Sequence, residues 1–250
     1  LTGMHWHKHK VSAKHFAECL RVGADRFGWK ERPMLVRSLT QDGKLVGWGM
    51  AASTFPALRG SASAKVRLLP DGTAQVLAAG NDMGTGAYTV VAMAAAEALG
   101  LPVENVRVEL GDSILPDGGL AGGSQMTASL TPAVKLACEE VLKQAGTSKV
   151  EKAIEGLKQS GRGAIEATAS AAPGDEAGKF AFQSWGAHFC EVMVDEEIAR
   201  LQVTRWVSVM NIGRVMNAKT AASQIRGGVI MGIGAALMEE CHFDANIGYP

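Results

Sequence analysis

Hydrophobic positions along the chain repeat with two periods, and the switches between them mark out its elements. In "SAKHFAECLRVGADRFGW", Phe16, Cys19, Leu20, Gly23, Ala24 and Phe27 recur every three or four residues. That spacing predicts one amphipathic helix, with Ser12 as its N-cap and Gly28 as its stop. Residues 46–53 and 62–69 read as strands. "RLLPDGTAQVLAAG" places a Pro-Asp-Gly turn between two alternating segments, which predicts a β-hairpin. A helix is expected over residues 88–99, a strand over 103–110 and a second helix over 127–143. The stretch "QAGTSKVEKAIEGLKQSGRG" reads as an exposed, charged helix, and "ASAAPGDEAGKF" as an irregular loop. A strand pair is expected within "AHFCEVMVDEEIARLQVTRWVSVMN". The loop "IGRVMNAKTAAS" and a glycine-punctuated helix over residues 224–240 follow it. Hairpin, loop and helix thus occur twice, at about residues 62–99 and 186–240. The pattern predicts an α+β fold of two similar mixed subdomains built from β-hairpins and helices. The boundaries read as 1–150 for the first subdomain with its N-terminal helix, 151–180 for a linking helix and loop, and 181–250 for the second.

Composition narrows the function. The 250 residues are 47% hydrophobic, enough for a sizeable core, and carry 25 basic against 25 acidic side chains. A net charge of zero argues against nucleic acid or a membrane surface as general partner. No apolar run approaches the roughly 18 residues of a membrane span. The cysteines at 19, 138, 190 and 241 form no Cys-x-x-Cys pair, so iron–sulfur and zinc sites are not expected within the chain. Widely spaced free thiols fit the cytoplasm, with the periplasm as the alternative. The alternating His5, His7 and His9 read as a surface stretch, since no carboxylate or thiol joins them. The chain opens on Leu1 and closes on "FDANIGYP", and it reads as a piece of a longer protein.

The thirty glycines cluster at junctions. Gly84-Thr85-Gly86, Gly122-Gly123-Ser124 and the loop of residues 211–223 each precede a helix, with Thr89, Thr127 and Thr220 at the helix starts. A helix N-terminus presents unpaired N–H groups and about half a positive charge, and glycines let a ligand approach the backbone. Three such junctions point to one large anionic ligand. It is not a familiar nucleotide: "GNDMGTGAYT" lacks the lysine of a Walker loop, and Thr89 stands where a dinucleotide fingerprint needs its third glycine. Asp82, Asp112 and Asp117 read as turn caps, Glu97, Glu239 and Glu240 as solvated, and His188 as a half-buried structural histidine. No nucleophile–base constellation follows from spacing.

The segments "FAECLRVGADRFGW", "NDMGTGAYTVVAMAAAEALGLPVENVRVELGDS", "GGSQMTASLTPAV" and the long run from "AHFCEVMVDEEIARLQ" to "GIGAALMEE" resemble the molybdenum-binding large subunit of the xanthine dehydrogenase and aldehyde oxidoreductase family. The likeness runs from about Val11 and covers the second half of that subunit's molybdopterin-binding region. It implies that Gly84, Thr85 and Gly86 line the pterin, and that Met126 and Thr127 meet it at the second helix. It further implies that Arg214, Asn217, Lys219 and Thr220 hold its phosphate or cytosine end, and that Gln224 reaches it from the third helix. Many members have Gly-Gln-Gly where this chain has Gly84-Thr85-Gly86. The Thr85 variant is similar to bacterial enzymes that use the cytosine-dinucleotide cofactor. Family chemistry hydroxylates an aldehyde or N-heterocycle with oxygen from water. Electrons leave through iron–sulfur clusters and FAD, here expected on an iron–sulfur subunit and an FAD subunit of one complex. The family's glutamate base lies in a Gly-x-Gly-Glu-like segment, expected beyond Pro250, so no catalytic residue is assigned here. Two rivals stand beside this reading: a non-catalytic structural or interaction module with glycine turns, and a nucleotide-dependent dehydrogenase.

Overall fold

The computed structural model describes residues 10–248. Its elements run β1 (Lys10–Val11), α1 (Phe16–Phe27), β2 (Thr40–Gln41), β3 (Lys44–Pro56), β4 (Ala62–Leu68), β5 (Ala74–Ala78), α2 (Ala87–Leu99), β6 (Val106–Leu110) and α3 (Met126–Gln144). Then come α4 (Val150–Ser160), β7 (Ile165–Ala171), β8 (Phe180–Ala181), β9 (Gln183–Asp195), β10 (Arg200–Asn211) and α5 (Ala218–Leu237). The chain divides into two compact units. One comprises the residues up to Ser12 with Pro56–Gln183, the other Ala13–Phe55 with the residues from Ser184 onward.

The first unit is a four-stranded sheet in the order β6-β5-β4-β7. Strand β4 alternates strictly, with Ala62, Ala64, Val66 and Leu68 buried. Strands β4 and β5 form the expected antiparallel hairpin, and α2 carries the chain from β5 to the parallel β6. One sheet face joins Leu130, Val134, Ala137 and Val141 of α3 and the alanine-rich side of α2 in a single core. On the other face Glu166 bridges Lys65 at 2.8 Å and Arg67 at 3.0 Å.

Three expectations for this unit need correction. Residues 103–105 form a 3-10 turn, so β6 starts only at Val106. Helix α4 is not wholly exposed: Val150, Ala153 and Leu157 are buried in the core. Residues 165–171 are a strand that pairs with the whole of β4. Its sequence "IEATASA" holds only one large apolar side chain, so the inward row of small residues carried little hydrophobic signal.

The second unit holds the sheet β10-β9-β3-β2, with a β-bulge between Val203 and Arg205. Helix α1 packs here. The fully buried Phe27 lies among Trp29, Trp48 and Phe189, and a Cβ at Gly23 would overlap the Phe189 ring. The Arg205 guanidinium stacks 4.0 Å from the Phe27 ring centroid, donates to the Phe27 carbonyl at 2.8 Å and meets Glu191 at 3.0 Å. Ser12 is not the cap of α1. Its N–H donates to the Ala181 carbonyl and the Ala13 carbonyl accepts from the Trp185 indole, so these residues are held extended and the helix begins at Phe16. Gly28 does stop it, at φ 78°. The expected boundaries at 150 and 180 also shift. Strand β3 shares a sheet with β9, drawing residues 13–55 into the second unit, and β7 completes the first unit's sheet, absorbing the supposed linker.

Candidate functional site

In the first unit two glycine loops meet at one end of the sheet. Beyond β5 the Ala79 N–H donates to the Pro116 carbonyl at 2.7 Å, and the Ser63 N–H to the Asp117 carbonyl at 2.6 Å. These bonds pin the loop of residues 111–125 against the ends of β4 and β5. Gly118 lies so close to Gly80 that a Cβ on it would collide with the Gly80 nitrogen and sit 2.7 Å from its Cα. The side chain of Met126, first residue of α3, closes over Gly80, its Cε 2.5 Å from where a Cβ would stand. Ser129 is fully buried. It accepts from the Gly60 N–H and donates to the Gln125 carbonyl, both at 2.9 Å, fixing the start of α3. Met126 and the loop leading to Gly84-Thr85-Gly86 are therefore brought together.

The anion at the start of α2 proves to be the chain's own. The Asp82 carboxylate accepts from the N–H groups of Gly84 at 2.9 Å, Gly86 at 3.2 Å and Tyr88 at 3.4 Å. Gly84 and Gly86, at φ 99° and 86°, take the left-handed conformation that turns their N–H groups inward. Burial raises the Asp82 pKa, but the backbone donors outweigh it and hold the carboxyl below its ordinary value. The glycines at 84 and 86 were expected to cradle an outside anion, yet those N–H groups are already satisfied. Thr85 and Gly84 remain exposed at the loop's surface. Helix α3 differs: no side chain caps its N-terminus, and Thr127 in its first turn is exposed. Asp112 and Asp117 cap turns, accepting from the N–H groups of Ile114 and Gly119.

In the second unit α5 begins at Ala218, six residues earlier than its apolar pattern suggests. The true start signal is Asn217, an N-cap whose Oδ1 accepts from the Lys219 N–H at 3.0 Å and the Thr220 N–H at 3.2 Å. The Thr220 hydroxyl donates to the Asn217 carbonyl at 3.3 Å. Arg214 in the preceding loop, Lys219 in the first turn and Gln224 one turn on are exposed. Asn217 and Thr220 thus shape the helix start, and Arg214 and Lys219 supply its positive charge.

Other titratable groups are structural. His188 bonds the Ser53 and Ser208 hydroxyls, each at 2.8 Å, and Ser208 also accepts from the Trp206 indole. Burial lowers its pKa, which keeps the imidazole neutral at pH 7. Burial pushes the Cys138 thiol up to about 12, so it is no nucleophile at neutral pH. Among the described residues no group of three His, Cys, Asp or Glu could hold a metal ion, and no helix is long and apolar enough to cross a membrane. His5, His7 and His9 lie outside the described residues.

A family model described as the molybdopterin cofactor-binding domain matches residues 22–249. The chain belongs to this family. It is 37% identical over 256 residues to the aldehyde oxidoreductase molybdenum-binding subunit PaoC of Escherichia coli O157:H7, spanning 96% of this chain and 35% of that one. To the xanthine dehydrogenase molybdenum-binding subunit of the same organism it is 28% identical over 277 residues, 96% of this chain and 36% of the other. The molybdopterin-binding fold is similar to the crystal structure of the aldehyde oxidoreductase from Desulfovibrio desulfuricans. There the TM-score is 0.73 at 26% identity, over 90% of this chain and 26% of that one. The chain spans about a third of the length of the curated relatives it matches. Both curated relatives are molybdenum-binding subunits of oxidoreductases, and the mixed helix-and-sheet architecture is shared with the solved aldehyde oxidoreductase.

Proposed function

We propose that this chain is the cofactor-holding part of a molybdenum hydroxylase that oxidises an aldehyde, with an N-heterocycle as the alternative substrate. The observation that carries the reading is the 37% identity to an aldehyde oxidoreductase molybdenum-binding subunit across 96% of the chain. The donor set fits a phosphorylated pterin. In the first unit the uncapped N-terminus of α3 offers backbone N–H groups, Thr127 offers a hydroxyl in its first turn, and Thr85 offers another in the exposed loop before α2. Arg214 and Lys219 in the second unit offer a fork and a point charge for phosphate. Gly84, Gly86 and Met126 give the pterin a closely approachable surface. Asn217 and Thr220 position the charged pair, and Gln224 projects from the next turn. Thr85, shorter than glutamine, supports the cytosine-dinucleotide form. When bound, the cofactor supplies the acceptor for the substrate's electron pair. This chain's residues bind and orient it. The glutamate base, the iron–sulfur subunit and the FAD subunit come from polypeptide outside residues 1–250. The four cysteines are unpaired, which supports a cytoplasmic home.

The test is metal and nucleotide content. The complete gene product, expressed with cofactor-maturation machinery, is expected to hold about one molybdenum per chain and to release CMP on acid hydrolysis. Arg214→Ala combined with Lys219→Ala is expected to lower molybdenum occupancy several-fold with circular dichroism unchanged. Full occupancy in that variant refutes the phosphate assignment, and absence of molybdenum from the unaltered protein refutes the whole reading. The dehydrogenase alternative predicts NAD or NADP binding, and a flat titration removes it.

A further inference from the structure

Thr85 stands between two glycines in a loop whose ends are held by packing and whose middle is not. At one end Gly80 lies against the Gly118 backbone and under the Met126 side chain. At the other, Ala87 and Val91 of α2 are buried in the core, and the Tyr88 hydroxyl donates to the Leu110 carbonyl at 3.3 Å. Between them Gly84 and Gly86 flank the exposed Thr85. Glycine visits many conformations, so a residue with one on each side swings freely unless its neighbours are tied. A Cβ on Gly84 would meet nothing within 4 Å, so packing does not tie it.

The Asp82 side chain supplies the tie. Its Oδ1 accepts from the Gly84 N–H at 2.9 Å and the Gly86 N–H at 3.2 Å, the residues on either side of Thr85. Its Oδ2 accepts from the Tyr88 N–H at 3.4 Å, in the first turn of α2. Capping a helix explains the Tyr88 bond but not the shortest one, because Gly84 lies two residues before the N-cap position Gly86 and outside the helix. That bond orders the loop. The carboxylate thus joins both neighbours of Thr85 to a helix end that is itself seated in the core. We propose that Asp82 is a positioning residue for Thr85: by holding both flanking glycines it fixes where the Thr85 hydroxyl stands toward the cofactor, acting through Thr85 and not on the cofactor itself. The proposal rests on the cofactor reading above and adds to it a residue that this reading leaves without a role.

The test uses the complete subunit and has two arms. The first needs no cofactor: backbone NMR of the subunit expressed without maturation machinery, with nitrogen-labelled threonine and valine. Asp82→Ala is expected to drop the Thr85 order parameter from about 0.85 to below about 0.6, while Val90 and Val91 of α2 stay rigid. An unchanged Thr85 value overturns the proposal. The second arm follows the rate of molybdenum loss from the loaded subunit, well below its melting temperature. Asp82→Ala and Thr85→Ala are each expected to speed the loss about fivefold, and the double variant no more than about twofold beyond the faster single one, because both remove the same contact. Losses that multiply to about twenty-fivefold make Asp82 independent of Thr85 and overturn the proposal. Asp71→Ala is the control. Asp71 accepts from the Thr73 N–H at 2.9 Å and the Thr73 hydroxyl at 2.6 Å in the β4–β5 turn, at the opposite end of the sheet. Its loss is expected to leave the rate unchanged, and an equal acceleration there assigns the Asp82 effect to general stability and overturns the proposal. Should Asp82→Ala fail to fold, Asp82→Glu, which keeps the charge but displaces the carboxylate by one methylene, carries the same comparisons. Absence of molybdenum from the unaltered subunit refutes the cofactor reading on which the proposal rests, whereas multiplying losses in a loaded subunit refute the positioning alone.

Discussion

Removing the Asp82 carboxylate should loosen the start of α2 by an amount that can be worked out. Three backbone N–H groups donate to it, at 2.9, 3.2 and 3.4 Å. A hydrogen bond to a charged group contributes about 1.5–3 kcal/mol when well made. Only the Gly84 bond is short, and the side chain is half-buried, so solvent screens the others. Loss of a helix cap costs about 0.5–2 kcal/mol on its own. Asp82→Ala is therefore expected to cost the first unit about 2 kcal/mol, and Asp82→Asn, which keeps one acceptor, about 1 kcal/mol. In a protein of this size the alanine variant should melt roughly 4–8 °C lower. Amide hydrogen exchange gives the local reading: Gly84, Gly86 and Tyr88 should lose protection while β4 and β5 keep theirs.

The sign of the pH dependence follows from the direction of the shift. A carboxyl whose pKa is depressed on folding contributes stability above its unfolded value, about 3.9, and loses it as pH falls through the folded value. The gap between the native protein and Asp82→Asn should thus be full at pH 6 and close as the pH falls below about 4. Equal stability at pH 6, or a gap that widens in acid, would refute the capping argument.

Further outcomes follow from the same geometry. Gly118→Ala should cost about 1–3 kcal/mol, because the new methyl meets Gly80 backbone, while Gly122→Ala, whose nearest neighbour would be 3.7 Å away, should change stability by less than about 0.5 kcal/mol; chemical denaturation compares them. Glu191→Ala should destabilise the second unit by about 2 kcal/mol, since the Trp48 indole and the Arg205 guanidinium lose a shared acceptor that is 17% exposed; tryptophan fluorescence during unfolding reads it. His188 should titrate below 6.5 by NMR, with the second unit losing stability as pH falls through that unfolded value, and His188→Gln should flatten the slope.

Much of the scaffold was legible because local signals agreed. Alternation and a Pro-Asp-Gly turn marked the β4–β5 hairpin, and Gly28 closed α1 as its left-handed geometry requires. What escaped was carried by small or distant residues. Strand β7 presents mostly Ala, Ser and Thr to its neighbours, and only pairing along β4 makes it a strand. The start of α5 lay in the polar "NAKTAAS", where no apolar period exists but Asn217 supplies a cap. The division into units depends on β3 lying beside β9, a partnership between segments far apart in sequence that periodicity does not reveal.

The candidate site shows the same limit from another side. Glycines ahead of three helices looked alike in sequence, but the three helix starts are chemically different. Asp82 fills the first from within, Asn217 caps the third, and the second, at Met126 and Thr127, has no capping side chain. A carboxylate already seated on the Gly84 and Gly86 N–H groups leaves them closed to a second anion. Under the proposed function the glycine loop at 84–86 then meets the uncharged parts of the cofactor. Arg214 and Lys219 remain the proposed phosphate contacts, which is why the double substitution there, and not one at Gly84, is the decisive test of that proposal.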